Sequence, residues 1–464
     1  MSGAPLQFKS PAPDWKYSSA LPGIAWPAIG GAQSSIALSL QAQFTHSERL
    51  SAARLLELQY RQLAVLVTHA YASVPFYRAC WSSRYDPAVP LSPARFADLP
   101  LLTRSDLQRE FDALRSADLP PGHGEPFESR TSGSTGAPVC VLKTPICALM
   151  WNAFALRDHL WHRRALTGKL AAIRQGVTPG SFDGWGTATD GLVVTGPAVV
   201  RGIQEDAASQ LDWLLREQPD YLITHPSMAA ELARLSLAHG AQLARLREVR
   251  TYGELLDDDT RILCRQAWNV GVTDTYSSTE VGYIAMQCPH HEHYHVQAEG
   301  VLVEILDDAG GACVAGEVGR VIVTDLHNFA MPLIRYDVGD FAEVGAACSC
   351  GRGLPVLRRI IGRVRNMLVT ADGRRFWPAL GSREIAEAAP IRQYQIVQKA
   401  FDLVEIRAVV SSPLSSAEEE RVRKLVLGRL PVAMHMNFVY CDHIPRSAGG
   451  KFEDFISEVA TARG

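Results

Sequence analysis

The stretch richest in chemistry runs Glu128-Ser129-Arg130-Thr131-Ser132-Gly133-Ser134-Thr135-Gly136-Ala137-Pro138. Between Thr131 and Gly136 there is only glycine, serine and threonine. Glycines let backbone N–H groups turn toward an anion, and hydroxyls add further donors. The loop therefore suits phosphate, although it lacks the Gly-Lys-Ser/Thr ending of a Walker A loop. A surface linker has a similar composition, but this loop sits between apolar segments and ends abruptly at Pro138.

A second cluster, Tyr276-Ser277-Ser278-Thr279-Glu280-Val281-Gly282, follows an apolar strand. An aromatic ring, hydroxyls and an acid at a strand's carboxyl end suit a ligand crevice. The ring can stack on a base, and the Glu280 carboxylate can hold Mg²⁺, a hard ion that prefers oxygen. Three weaker signals lie downstream. Asp340 follows a glycine and can accept from sugar hydroxyls. Gly362-Arg363-Val364-Arg365-Asn366 resembles a joint. Pro445-Arg446-Ser447-Ala448-Gly449-Gly450-Lys451 is a glycine loop that can carry one positive charge into a distant site.

Cys288-Pro289-His290-His291-Glu292-His293-Tyr294-His295 and Cys348-Ser349-Cys350-Gly351 form another constellation. Thiolates and imidazoles at these spacings suit tetrahedral zinc. Cys288, Cys348, Cys350 and one histidine would close the shell, which makes the role structural. His295 abuts a strand and is the preferred fourth ligand, with His291 and His293 as competitors. A histidine-rich surface loop beside two buried thiols is the alternative.

In order and spacing, these motifs resemble the adenylate-forming superfamily of acyl-CoA synthetases, peptide-synthetase adenylation domains and luciferases. Thr131–Pro138 is similar to its phosphate loop, with Thr131, Ser132, Gly133, Ser134, Thr135 and Gly136 toward ATP. Tyr276, Ser277, Ser278, Thr279 and Glu280 are similar to its Tyr-x-Ser/Thr-Thr-Glu motif. Asp340 matches the ribose-binding aspartate, Arg363 the ribose/phosphate arginine, and Lys451 the catalytic lysine. The phenylacetate–CoA ligase-like branch is the nearest in texture, through Leu21–Pro27, Val74–Arg78 and His225-Pro226-Ser227. In that branch the Gly253-Glu254 segment lines the adenine and acyl pocket, and a structural zinc can occur near the Cys288 cluster.

The resemblance implies an acyl-AMP-forming acid–thiol ligase using ATP, Mg²⁺ and, for thioester formation, CoA. Its substrate would be an aromatic or small organic acid, and Lys451, Glu280 and Thr135 would be catalytic. Acceptors other than CoA remain open: an amine, or a carrier-protein thiol. A non-catalytic binding protein with this fold is a third reading, and the retained Thr135, Glu280, Asp340, Arg363 and Lys451 speak against it. Trp151, Phe154, Trp161, His225, Pro226 and Ser227 are candidates for the acyl pocket, with the alternative that they belong to the core, where such residues more often sit. Three positions depart from the pattern: Arg365 and Asn366 stand where relatives carry an acid after the joint, and Ala137 replaces a common lysine.

These residues need elements to hold them. With 464 residues the chain has room for several structural units. Its 47% hydrophobic and 20% charged residues are ordinary globular values and permit a large core. The formal net charge of −3 leaves no basic surplus for phosphate backbones, which argues against nucleic-acid binding. No apolar run approaches a membrane span. No signal-like start is visible, and the nine cysteines are scattered, so a cytoplasmic location with free or metal-bound thiols is expected.

Residues 1–45 read as an arm on the body, and helical spacing runs from Ser47 to Cys80. Pro75, Pro87, Pro90 and Pro93 punctuate a loop before a helix over Arg104–Leu114. Strands are expected at Ala171–Ile173, Gly191–Val200, Tyr221–Thr224, Val249–Tyr252 and Val272–Tyr276. Helices over Ala207–Glu217, Met228–His239 and Asp257–Asn269 alternate with them, as in an α/β sheet. An all-β texture follows from Gly300 to Val344, with Gly310-Gly311 as a hairpin turn. The expected architecture is α/β: a large N-terminal domain over 1–363 with mixed sheets, helices and a small β subdomain. A zinc-knuckle-like insert falls around 288–350. A small mobile α+β domain over 364–464 carries Lys451.

Overall fold

A computed structural model describes residues 15–131, 138–363, 366–376, 378, 382–446 and 451–459. Its centre is a twelve-stranded sheet whose two halves follow different rules. Gly271–Ser278, Glu248–Tyr252, Tyr221–Thr224, Leu170–Arg174 and Ala198–Gly202 run parallel in that spatial order. Parallel neighbours need crossovers, and the helices Ala207–Glu217, Pro226–His239 and Asp258–Trp268 supply them. Asp206 and Asp257 cap two of these helices by accepting from Ser209 N and Thr260 N. Left-handed Gln218 and Asn269 end the same two.

At Gly271–Ser278 the pairing turns antiparallel, through the tight Thr279–Val281 connection into Gly282–Gln287. From there the sheet continues through Tyr294–Val296, Val356–Arg363, Tyr336–Val344, Val318–Asp325 and Val301–Leu306. The all-β stretch is thus the antiparallel half of one sheet. Every residue of Gly282–Gln287 is buried, as expected for a central strand covered on both faces.

The small C-terminal unit has its own four-stranded sheet, ordered His435–Tyr440, Leu403–Val410, Ile391–Ala400, Phe455–Ser457. Helices Ser382–Ala388 and Ser416–Leu427 accompany it, and Ser415 with Glu418 forms a capping box at the second. Its core gathers Ile396, Val404, Ile406, Val422, Val426 and Phe455.

Several element expectations need correction. The N-terminal arm contains a helix, Ala32–Ser47, whose Phe44 stacks on Phe154 with centroids 5.0 Å apart. Pro75 opens a short helix, Pro75–Trp81, because proline fits the first helical turn, where its missing N–H is not needed. The helix from Arg104 stops at Arg109. The expected Gly191–Val200 strand begins only at Ala198 and runs to Gly202, since Gly191 at φ +66° belongs to a turn.

Candidate active site

A cleft of about 1040 Å³ opens at the carboxyl ends of the parallel strands, where the sheet changes from parallel to antiparallel. The strand order puts Tyr276, Ser277, Ser278, Thr279 and Glu280 on its wall, together with Thr131, Trp151, His225, Gly253, Glu254, Asp340, Arg363 and Lys451.

The phosphate-loop segment is held by a hairpin, Phe127–Arg130 against Cys140–Lys143. Thr131 closes its base. Its N–H donates to Val139 O at 2.9 Å, and its hydroxyl accepts from Val139 N at 2.9 Å. That hydroxyl is therefore committed to the hairpin. Ser132, Gly133, Ser134, Thr135 and Gly136 lie outside the described residues.

Asp340 is oriented from two sides. Tyr276 Oη donates to its Oδ2 at 2.8 Å, and Arg363 Nε donates to its Oδ1 at 3.2 Å. Asp340 and Arg363 are direct partners in the antiparallel register, so the sheet itself sets this pair. Burial, then the nearby Asp340 carboxylate, pushes the Tyr276 phenol well above its usual range and keeps it a donor. Glu280 is nearly buried and meets Arg104 Nη1 at 3.3 Å. No motif marked Arg104, which comes from the helix Arg104–Arg109 far upstream.

Lys451 reaches this wall from the small domain. A Cβ on Gly253 would stand 3.7 Å from Lys451 Cε and 3.5 Å from His225 Cε1. Gly253 also has φ +80°, a conformation that side chains disfavour, so glycine suits the site on both counts. Burial, then the charge of Arg363, lowers the Lys451 pKa from its ordinary value, while Asp340, Glu254 and Glu280 pull it back up.

Glu254 lines the cleft and also meets the small domain. It is buried, and its Oε2 accepts from Ser227 N at 3.0 Å. Its Oε1 accepts from Phe452 N at 2.6 Å and from Arg446 Nη1 at 3.4 Å. Arg446 also donates to Ser227 Oγ at 2.6 Å. Both Phe452 and Arg446 belong to the small domain, so this carboxylate clasps the two domains together. His225 Nδ1 lies 3.3 Å from Glu254 Oε1 without hydrogen-bond geometry.

The acyl candidates divide. Trp151 lines the cleft and packs 4.4 Å from the Tyr283 ring. His225 lines it as well. Pro226 and Ser227 face a smaller cavity between the domains, because the helix Pro226–His239 turns the chain away there. Phe154 and Trp161 sit in a buried cluster with Phe44, Tyr283 and Met286 and are core.

Cys288, His295, Cys348 and Cys350 converge with all candidate ligand atoms within 4.8 Å of one another. Cys288 Sγ is 3.9 Å from Cys348 Sγ, and Cys350 Sγ is 3.4 Å from His295 Nε2. A tetrahedral site with Zn–S bonds near 2.3 Å has S···S edges of roughly 3.8 Å, so the donor set fits zinc. His295 is fully buried on the short strand Tyr294–Val296, which explains its place in the cluster. His291 instead meets Ser349 Oγ at 3.1 Å. Burial pushes the Cys288 thiol up to about 12 and the His295 imidazole down to about 3 in the bare protein. A bound dication would reverse the thiol's preference.

Comparison with known proteins agrees with this geometry. In structure the chain matches 2-hydroxyisobutyryl-CoA ligase in its postadenylation state with 2-HIB-AMP, at TM-score 0.71 and 20% identity, over 89% of this chain and 92% of that one. Against the thioesterification state of that ligase the TM-score is 0.58. The fold is therefore that of the adenylate-forming CoA ligases. By sequence the chain is 25% identical to the phenylacetate–coenzyme A ligase of Thermus thermophilus, over 87% of this chain and 96% of the relative. With the Escherichia coli enzyme of the same name it shares 27% identity, over 87% and 94%. Residues 368–458 match the family described as CapK C-terminal domain. The chain is thus similar to phenylacetate–CoA ligases over most of its length, the resemblance that its motifs carried. No helix among the described residues is long and apolar enough to cross a membrane.

Proposed function

We propose that this chain joins a carboxylic acid to CoA in two half-reactions at the cleft. The acid's carboxylate attacks the α-phosphorus of ATP, the bond to the β-phosphate oxygen breaks, and acyl-AMP and pyrophosphate form. The thiol of CoA then attacks the acyl carbon, its proton is lost, and AMP departs. The observation that carries the reading is the convergence of Lys451, Glu280, Asp340 and Arg363, from both domains, on one cleft at the sheet's switch point.

Negative charge concentrates at phosphorus in the first step. Fixed positive charge and backbone donors placed there lower the barrier most. Lys451 is the lysine in position, largely shielded from water and flanked by Arg363. The Tyr276–Asp340–Arg363 clamp presents a carboxylate already aimed for two sugar hydroxyls. Ser132–Gly136 would supply phosphate donors from the hairpin that Thr131 closes. Mg²⁺ would be held by Glu280 and would offset phosphate charge. Structural zinc would be held by Cys288, His295, Cys348 and Cys350, remote from the chemistry.

The domains meet at the joint after Arg363, and 364–464 is the part that turns between half-reactions. The better match to a postadenylation state than to a thioesterification state supports the adenylating orientation for the arrangement described. ATP and CoA are cytoplasmic metabolites, which supports action in the cytoplasm. The test is a pyrophosphate-release screen over carboxylic acids, with and without CoA. Acyl-AMP and pyrophosphate are expected with a cognate acid, and thioester when CoA is present. ADP as the product would overturn adenylation, and release indifferent to CoA would point to an amine or carrier-protein acceptor.

A further inference from the structure

The floor of the cleft is a wall of hydrogen-bond donors. Arg250 lies on Glu248–Tyr252, three residues before Gly253, where Lys451 stands. At roughly 3.3 Å per residue the separation along the strand is about 10 Å, the length of a ring or a short chain. Arg250, His159 and Tyr283 all line the cleft.

Their protein partners leave donors over. Arg250 Nη2 donates to Asp158 Oδ2 at 2.6 Å, and no other hydrogen bond of its guanidinium is made among the described residues. His159 is buried, and burial followed by the charges of Arg250 and Arg164 holds it neutral. Arg164 Nη1 approaches His159 Nδ1 at 3.4 Å and can only donate, so Nδ1 accepts and the proton sits on Nε2. The Tyr283 hydroxyl makes no hydrogen bond among the described residues, while its ring packs on Trp151.

The acids nearby are already taken. Asp158 Oδ2 is shared between Arg250 and Arg164 at 2.6 and 2.7 Å. Glu248 accepts twice from Arg164, at 2.8 and 2.7 Å. Asp274 accepts from Thr251 and Tyr294 at 2.6 and 2.8 Å. The spare hydrogen-bonding capacity of Arg250 and His159 is that of donors, so an acceptor group can be matched there, whereas a plain hydrocarbon leaves buried donors unmatched.

We propose that this floor is a specificity subsite, with Arg250 as its principal donor, for a second carboxylate or a carbonyl on the far end of the acid, whose body lies along Trp151. The inference rests on the adenylation reading, and its test separates the two. ATP–pyrophosphate exchange is measured with matched acids on one skeleton: unsubstituted, with a distal carbonyl, and with a distal carboxylate. The wild type is expected to favour an acceptor-bearing acid over the unsubstituted one by roughly 100-fold in kcat/KM, mostly through KM.

Arg250→Met is expected to collapse that ratio. Arg250→Gln keeps a donor without charge, so it spares preference for the carbonyl and loses preference for the carboxylate, which tells the two apart. Because Arg250→Met also strips a partner from Asp158, Tyr283→Phe is the second variant. It removes one hydroxyl, leaves the ring on Trp151, and is expected to lower the ratio about tenfold. A wild type that prefers the unsubstituted acid overturns the inference. So do variants that slow every acid equally, since the wall is then only structural. If no acid supports exchange, adenylation itself fails and the subsite with it.

Discussion

The cysteine–histidine cluster and the cleft are both built from distant pieces of chain, yet they are built differently. The cluster draws on the end of Gly282–Gln287, the short strand Tyr294–Val296 and the loop before Val356–Arg363, all neighbours in one sheet. Its four side chains meet within 4.8 Å with no help from the small domain. The cleft needs both domains: Lys451 and Phe452 come from the small one, and Gly253, Glu254, Asp340 and Glu280 from the large one. A site inside one sheet depends on folding alone. A site across two domains also depends on their relative orientation.

The sharpest way to test that contrast is to remove the metal. Cys288→Ser or Cys348→Ser is expected to abolish binding of one zinc per chain and to lower Tm markedly. Structural zinc supplies on the order of 10 kcal/mol of apparent binding free energy in zinc-finger peptides. Elemental analysis with calorimetry reads both, and a metal-free wild type of undiminished stability would reject the site.

Lys451→Ala probes the other member of the comparison. Losing one charge aimed at a developing anion is expected to slow adenylation by roughly 10²–10³. On the proposed two-orientation mechanism, thioester formation from pre-formed acyl-AMP and CoA should change much less. Equal loss in both half-reactions would mean that orientation does not separate them.

A smaller effect is expected from Arg446→Ala, which loosens the clasp and touches no reacting atom. Adenylation should slow by about tenfold, the worth of one hydrogen bond to a charged group, while thiolysis keeps its rate. Single-turnover measurement of each half-reaction decides it.

The smallest expected effect concerns pH. Burial and Arg363 lower the Lys451 pKa, so its proton is lost below the usual lysine range. The alkaline limb of kcat/KM for ATP, which reports the free enzyme, should therefore fall below 10.5, the ordinary lysine value, and vanish in Lys451→Ala. An unshifted limb would show that Lys451 stands in water.

How much of this was legible in the sequence depended on whether a residue's partner lay in a motif. Tyr276, Asp340 and Arg363 each sit in a recognisable string, and the sheet register joins them. The strand–helix alternation from Tyr221 to Ser278 was readable because each element buries one periodic apolar face. His295 could be preferred over its neighbours because it enters a strand while they remain in the turn. Arg104 was invisible as the partner of Glu280, since nothing near it in sequence announces a distant acid. Nothing in the linear sequence pairs Asp158, Arg164, Glu248 and Arg250, and only the fold shows that they neutralise one another inside. Phe154 and Trp161 carry the aromatic signature of a pocket, but packing against Phe44 and Met286 makes them core.

Glu254 also sets a cost on turnover. While the small domain is docked, this one carboxylate collects donors from Ser227, Phe452 and Arg446. Undocking withdraws the last two and returns a shielded anion to water and to Ser227. Two hydrogen bonds to a charged group amount to roughly 3–6 kcal/mol net of the water they replace. If the small domain turns as proposed, the resting molecule is biased toward the docked pose and the thiol substrate has to favour the other by direct contact with it. Such a ligase would idle in the activating pose until its second substrate has bound. Interdomain distance measured by fluorescence transfer should stay short with ATP and acid and lengthen on adding CoA. A distance indifferent to CoA would rule out such gating.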